Sequence, residues 1–356
     1  MSKKFCMVYN GNHLLHRSGT TSPESPERID RILNYLKKTK LIGRYGNIIE
    51  DFPAATKEQM LLVHDPKYLE FVKTYSEKGG GFLGDSTYFN KRTYIVACQA
   101  AGGAIRAVDA VVKQEYSLSF ALVRPPGHHA SADRYGGYCI LNNGAIAARY
   151  LQKSWGMKKI MFIDWDAHAA NGTMHIFYDD PSVLTLSIHR DPHEFYPHEG
   201  FNYQIGKGAG RGYTVNVEMP VGSSNDEYKY VFEKVVLPIY KQYRPDFIIC
   251  CNGFDAYYKD PYASLYMTAE GYYDLAKMLR NSIGIGKMSI LMEGGYNRDN
   301  GYLGQVLLSG FLGLDMKFEE ETDPLSYYVT SEAKIKKVIE NQISELRELL
   351  DDYFTF

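Results

Sequence analysis

The stretch Lys159-Ile160-Met161-Phe162-Ile163-Asp164-Trp165-Asp166-Ala167-His168 decides how this chain is read. An apolar segment of β-strand character runs straight into two carboxylates and an imidazole at alternating positions. Alternate residues of an extended strand point the same way, so Asp164, Asp166 and His168 are expected to emerge together at a strand's carboxyl end. Open α/β sheets keep their ligand sites at that edge. Two oxygen donors and one nitrogen donor suit a borderline divalent cation such as zinc.

Working outward, apolar strand-like runs at 5–9, 119–123, 159–163, 183–188, 247–251 and 289–292 alternate with helix-like runs at 26–38, 57–62, 93–113, 143–152, 225–243 and 269–283. That alternation predicts an α/β fold with a mostly parallel central sheet and helices on both faces. No repeat, low-complexity stretch or linker divides the chain, so residues 1–356 read as one domain. A C-terminal amphipathic helix over about 331–350 is expected to pack on its outside.

Four of the strand candidates lead into loops of unusual chemistry. They are Arg124-Pro125-Pro126-Gly127-His128-His129, Asp164-Trp165-Asp166-Ala167-His168, Asn252-Gly253-Phe254-Asp255 and Glu293-Gly294-Gly295-Tyr296. In a parallel sheet all four project from the same edge, which predicts a single active site. Asp255 is the natural third ligand beside Asp166 and His168. Three protein ligands leave a catalytic metal an open position for water and substrate. The adjacent His128 and His129 disfavour double protonation, so one can stay neutral and act as a general base. Tyr296, after two glycines, can present its phenol to a cavity and donate to a developing oxyanion.

Bulk properties narrow the partners. The chain is 45% hydrophobic and 23% charged with a formal net charge of −2, which argues against a nucleic-acid binder driven by phosphate contacts. No apolar run is expected to reach the roughly 20 residues of a membrane-spanning helix. The N-terminal residues turn polar too soon for a secretory signal and read as a first strand. Cys6, Cys98, Cys139, Cys250 and Cys251 form no CxxC pair, so a cysteine metal site or disulfide framework is not expected and a cytoplasmic setting is.

With these loops assembled, the chain resembles the arginase/deacetylase-fold zinc amidohydrolases, the histone deacetylases and bacterial acetylpolyamine amidohydrolases. The resemblance rests on RPPGHHA at Arg124–Ala130, GGYCILNN at Gly136–Asn143, DWDAHAANGT at Asp164–Thr173, SIHR at Ser187–Arg190, GFDAYYKDP at Gly253–Pro261 and LMEGGYN at Leu291–Asn297. It implies a three-layer fold and a class II-like deacetylase. It makes Asp166, His168 and Asp255 ligands of one catalytic zinc, a set that ferrous iron also fits. His129 becomes the general base, His128 its electrostatic partner backed by Asp164, and Tyr296 the oxyanion donor. Asn171 would orient the second histidine. Tyr138 and Tyr196 would wall a narrow tunnel, Gly137 and Cys139 flank its acetyl end, and Arg28 lie in an internal cavity. Ser86 resembles a rim serine, and Tyr262 stands at the gate position that is acidic in some polyamine deacetylases.

The resemblance also implies structural K+. One site would use Asp164, Asp166, His168, Ser187 and Ile188, the other carbonyls of Phe177, Asp180, Val183 and Tyr213. Where the family usually has His-His-Gly-Asn, this chain has His168-Ala169-Ala170-Asn171, a change that matters if the backbone there needs positive φ. Segment 187–210 looks most like the acetylpolyamine enzymes, so the expected substrate is a small acetylated amine. Its ammonium groups would be attracted by Asp85, Glu194, Glu199 and Asp260 on rim loops. A protein lysine deacetylase and a non-catalytic ligand-binding member are the alternatives. The stretch between His64-Asp65-Pro66 and the histidine pair is expected to be mostly loop before the 93–113 helix. It lacks the long insertion that builds a dimer in acetylpolyamine enzymes, so a homo-oligomer, if formed, would use another surface.

Overall fold

The computed structural model describes residues 4–17, 22–318, 320 and 332–356. Eight strands form one parallel sheet in the order β2-β1-β5-β10-β9-β6-β7-β8, with β1 Phe5–Val8, β2 Gly46–Ile49, β5 Leu118–Ala121, β6 Ile160–Asp164, β7 Val183–Arg190, β8 Thr214–Met219, β9 Phe247–Asn252 and β10 Met288–Met292. A short antiparallel pair, β3 Gly81–Phe82 and β4 Tyr88–Phe89, lies apart from it.

Strand alternation divides the core into two layers. Met161, Ile163, Leu186, Ile248 and Ile290 face one way, onto the helices Pro26–Lys38, Ala269–Ser282 and Asn300–Leu312. Phe162, Ile249, Cys251 and Leu291 face the other, onto Thr93–Val112 and Asn143–Trp155. A sheet buried on both faces needs continuous apolar strands, which is what Ile-Met-Phe-Ile and Phe-Ile-Ile-Cys-Cys supply. The C-terminal helix runs Glu332–Leu350, with Ile335, Ile339, Ile343, Leu346 and Leu350 turned into the first layer; its expected first residue, 331, lies outside the described residues.

Several expectations need correction. The stretch after Asp65 is a helix, Pro66–Glu77, with Asp65 Oδ1 accepting from the backbone N–H of Lys67 at 2.7 Å. The expected 225–243 helix is interrupted by a π-helical turn, Phe232–Val236, which ends two residues before Pro238, a residue with no N–H to continue the i→i−4 ladder. Thr93–Val112 is long and apolar enough to span a membrane by length and composition, against the sequence-based expectation. Of its most apolar 18-residue window, 78% is buried inside the protein, the position of a core helix.

Topology places the chemistry. Strands β5, β10, β9 and β6 are consecutive neighbours in the sheet, so the four loops singled out in the sequence leave adjacent carboxyl ends.

Candidate active site

Asp166, His168 and Asp255 bring one ligand atom each to within 4.8 Å of one another. His168 Nδ1 lies 3.1 Å from Asp166 Oδ1 and 2.9 Å from Asp255 Oδ2. Backbone donors hold the carboxylates from outside. Gly294 N–H donates to Asp166 Oδ2 at 2.6 Å, His168 N–H to Asp166 Oδ1 at 2.9 Å and Ala167 N–H to Asp255 Oδ1 at 2.8 Å. Glycine is required at 294 by this approach, since a methyl there would lie 2.6 Å from oxygens of both aspartates.

Both carboxylates are fully buried, and among the described residues no lysine or arginine pairs with either. Burial pushes Asp255 up to about 6. His168 also works against burial, but the two carboxylates outweigh it and raise its imidazole to about 9. Two buried anions whose only cationic neighbours are imidazoles form a donor set that a divalent cation neutralises, with the ring proton of His168 released. The residues therefore fit a metal of the zinc type.

The two adjacent histidines are tuned in opposite directions. His128 Nδ1 sits 3.1 Å from Asp164 Oδ2. Burial opposes its charge, yet Asp166, Asp164 and Glu293 prevail and raise it to about 10. For His129, burial and the His128 and His168 imidazoles all act the same way and push it well below the usual histidine range. Its Nδ1 is 2.7 Å from Asn171 Oδ1. The other amide atom of Asn171 faces Glu199 Oε2 at 3.5 Å, which orients the carbonyl toward the ring. His129 Nδ1 is then the protonated nitrogen and Nε2 carries the lone pair. Asn171 opens the helix Asn171–Phe177. Gly172 lets that helix end approach, because a methyl there would lie 2.5 Å from the Ala130 carbonyl oxygen. The backbone at Ala170 has φ −75, and neither Ala169 nor Ala170 is among the residues of positive φ. The alanines therefore create no backbone strain at the site.

Tyr296 lies in a loop braced by Arg28, whose Nε donates to the Gly295 carbonyl at 2.7 Å and Nη2 to the Glu293 carbonyl at 2.6 Å. The Arg28 guanidinium also lies over the Tyr296 ring, 4.7 Å from its centroid. Burial raises the Tyr296 phenol well above its ordinary value, so it remains a donor. The cavity in front of these groups measures about 280 Å³, and its lining includes Ser86, His129, Gly137, Tyr138, Tyr196, Tyr262 and Tyr296. The walls are aromatic: Tyr196 meets the His129 ring edge-on at 4.9 Å, and Tyr262 and Tyr138 meet Tyr296 at 5.4 and 5.9 Å.

Some assignments shift. Phe195, which the sequence reading passed over, stacks on His168 at 4.5 Å and lines the cavity; its place beside Tyr196 was the available signal. Glu293, to which the sequence alone assigns no role, is buried and accepts from the N–H groups of Gly127 and His128, tying the histidine loop to the tyrosine loop. Of the four expected rim acids, Asp85 and Glu194 are exposed. Asp260 is buried beneath the rim, and Glu199 pairs with His175 at 2.9 Å. Around the expected cation positions, Asp164 is in register with Ser187, and the carbonyls of Phe177, Asp180 and Tyr213 accept backbone N–H groups.

Residues 22–304 match the family model described as the histone deacetylase domain, and this chain belongs to that family of amide-bond hydrolases. A probable deacetylase of Archaeoglobus fulgidus is 34% identical over 325 residues, 89% of each chain. A histone deacetylase-like amidohydrolase of Pseudomonas aeruginosa is 34% identical, covering 77% of this chain and 72% of its own. Histone deacetylase HDA1 of Saccharomyces cerevisiae is 38% identical over 78% of this chain, which spans 42% of that protein's length. Among solved structures, the HDA15 HD domain superposes with a TM-score of 0.87 at 30% identity, over 99% of this chain and 96% of that one.

Proposed function

We propose that this chain is a zinc-dependent deacetylase that removes acetyl groups from small acetylated amines, acetylated polyamines foremost. The observation that carries the reading is the convergence of Asp166, His168 and Asp255 behind an aromatic-walled cavity that also exposes His129 and Tyr296. When bound by those three residues, zinc supplies a Lewis acid that polarises the acetyl carbonyl and acidifies water.

The chain's own groups do the rest. His129 is held neutral, with Nδ1 engaged by Asn171, so Nε2 accepts the proton of the attacking water. His128, kept cationic by Asp164 and Asp166, stabilises negative charge beside it and can protonate the departing amine. Tyr296 donates its phenolic hydrogen to the carbonyl oxygen as charge develops there. Phe195, Tyr196 and Tyr138 enclose the alkyl stem and exclude water, which strengthens each of these interactions. Asp85, an exposed carboxylate whose side chain takes a hydrogen bond from Tyr196 Oη at 3.1 Å, offers a counter-charge to a distal ammonium. Structural potassium is assigned to the Asp164–Ser187 position and to the carbonyls around Phe177 and Tyr213, and the five cysteines, all free and buried, suit a reducing cytoplasm.

A second reading is an acetyl-lysine substrate within a protein. It is favoured by Ser86, exposed at the mouth on left-handed backbone (φ 56), where its oxygen can accept a substrate N–H. Acetate release on zinc-loaded protein from acetylputrescine, acetylcadaverine and acetylspermidine, set against an acetyl-lysine peptide, tests the choice. A marked preference for the peptide overturns the polyamine reading. No acetate from any of them, with one zinc bound per chain, overturns the enzymatic one.

A further inference from the structure

The geometry points to Asp260 as a positioning residue for deacetylation, one carboxylate that fixes the phenol-bearing loop and the tunnel gate relative to each other. The inference rests on Tyr296 being the oxyanion donor. Asp260 lies five residues beyond Asp255 in a turn held by its own N–H donating to the Tyr257 carbonyl at 2.7 Å. Its Oδ2 accepts from the backbone N–H of Tyr296 at 2.7 Å, and its Oδ1 from the backbone N–H of Tyr262 at 3.1 Å. Those two tyrosines meet edge-on at 5.4 Å, one the reactive phenol and the other a wall of the cavity.

The rest of the tyrosine loop is anchored by other groups. Gly294 N–H is taken by Asp166, Gly294 carbonyl by the N–H of Phe254, and Gly295 carbonyl by Arg28 and Asn300. Tyr296 N–H has Asp260 as its acceptor. Losing that carboxylate orphans a partly buried donor next to the reacting group and frees the loop to turn. A carboxylate is the right device here, because both of its oxygens accept, and an amide in its place would turn an NH2 toward one of the two N–H groups. Asp260 makes no ion pair with any described lysine or arginine. Its placement under the rim, 8% exposed, also means it meets no substrate, so it acts through Tyr296 and Tyr262.

The test is a double-mutant cycle on zinc-loaded protein, using Asp260→Asn as the near-isosteric change and Asp260→Ala as the truncation. With Tyr296 present, D260N is expected to lower kcat at least tenfold and D260A further, with one zinc still bound per chain. In a Tyr296→Phe background the same changes should alter the residual kcat less than twofold, because the group being aimed is gone. Equal losses in both backgrounds, or an unchanged kcat in D260N, overturn the proposal. If D260A does not fold, D260N alone decides it by the same two comparisons. A Tyr296→Phe single variant with undiminished rate refutes the role of the phenol itself, a result separate from any behaviour of Asp260 variants.

Discussion

Gly294→Ala tests the ligand geometry without touching a ligand. The added methyl would sit 2.6 Å from Asp166 Oδ2 and 2.6 Å from Asp255 Oδ2, where real methyl carbons keep at least 3.0 Å. Each oxygen, or the loop, must therefore give by about 0.4 Å, twice the roughly ±0.2 Å that metal–ligand distances tolerate. Asp166 and Asp255 cannot both retreat, because Oδ1 of each is fixed by a backbone N–H, from His168 and from Ala167. If the loop moves instead, Tyr296 moves with it. Gly294 does not have positive φ, so the substitution adds no backbone strain. The expected outcome is a loss of about 10–100-fold in zinc affinity, the range typical when ligand support is disturbed, with an overpacking cost of about 1–3 kcal/mol in stability. Competition for zinc against a fluorescent chelator, thermal melting and acetate release at saturating zinc together measure it. A variant with wild-type affinity and wild-type rate would show that the carboxylates do not form the metal site this packing implies.

Three further outcomes are expected. Tyr296→Phe should lower kcat by about 10²–10³, the usual effect of removing one oxyanion donor, with zinc content by elemental analysis unchanged. Dialysis against a chelator should abolish acetate release, and added zinc should restore it. Glu24, fully buried, is opposed by burial but held down to about 2 by Arg124 and Arg28. Its stabilising contribution is present above the unfolded value near 4.5 and is lost as pH falls from there toward 2. Glu24→Gln should then destabilise the protein by about 3–5 kcal/mol at pH 7, the cost of leaving a buried guanidinium unpaired. In denaturant titrations the gap from wild type should narrow below pH 4.5.

The central strands and the four loops that converge on the candidate site were legible because burial on both sheet faces demands long apolar runs, and clustered polar residues follow them directly. The edge strands were not. Thr214–Met219 carries Asn216 and Glu218 between its apolar residues, and Gly46–Ile49 has too few residues to show a period. The helix Asn300–Leu312 contains Gly301, Gly304 and Gly310, which lower helix propensity. They are there because methyls would meet the Arg31 carbonyl oxygen at 2.8 Å, Ile32 at 2.9 Å and the Tyr273 carbonyl oxygen at 2.5 Å. Tertiary packing overrode local preference. Pro66–Glu77 did carry a signal, Asp65 before a proline at the first turn. In the site, the donors were readable by spacing, while the burial of Asp260 was not. An aspartate in a loop looks the same in sequence whether it faces water or two backbone amides.

The proposed ligands follow β6 and β9, and β10 leads into the glycine loop that packs on them; these strands begin at residues 160, 247 and 288. Before the sheet has formed, Asp166 and His168 are the two members of that set that stand close together in the chain, a weak local chelate. Tight zinc uptake therefore requires the middle of the molecule to be complete, and by linkage zinc should protect the whole fold against denaturant rather than one loop. Ion capture becomes a reporter of assembly, readable as the moment in refolding when a chelating dye surrenders its metal to the protein.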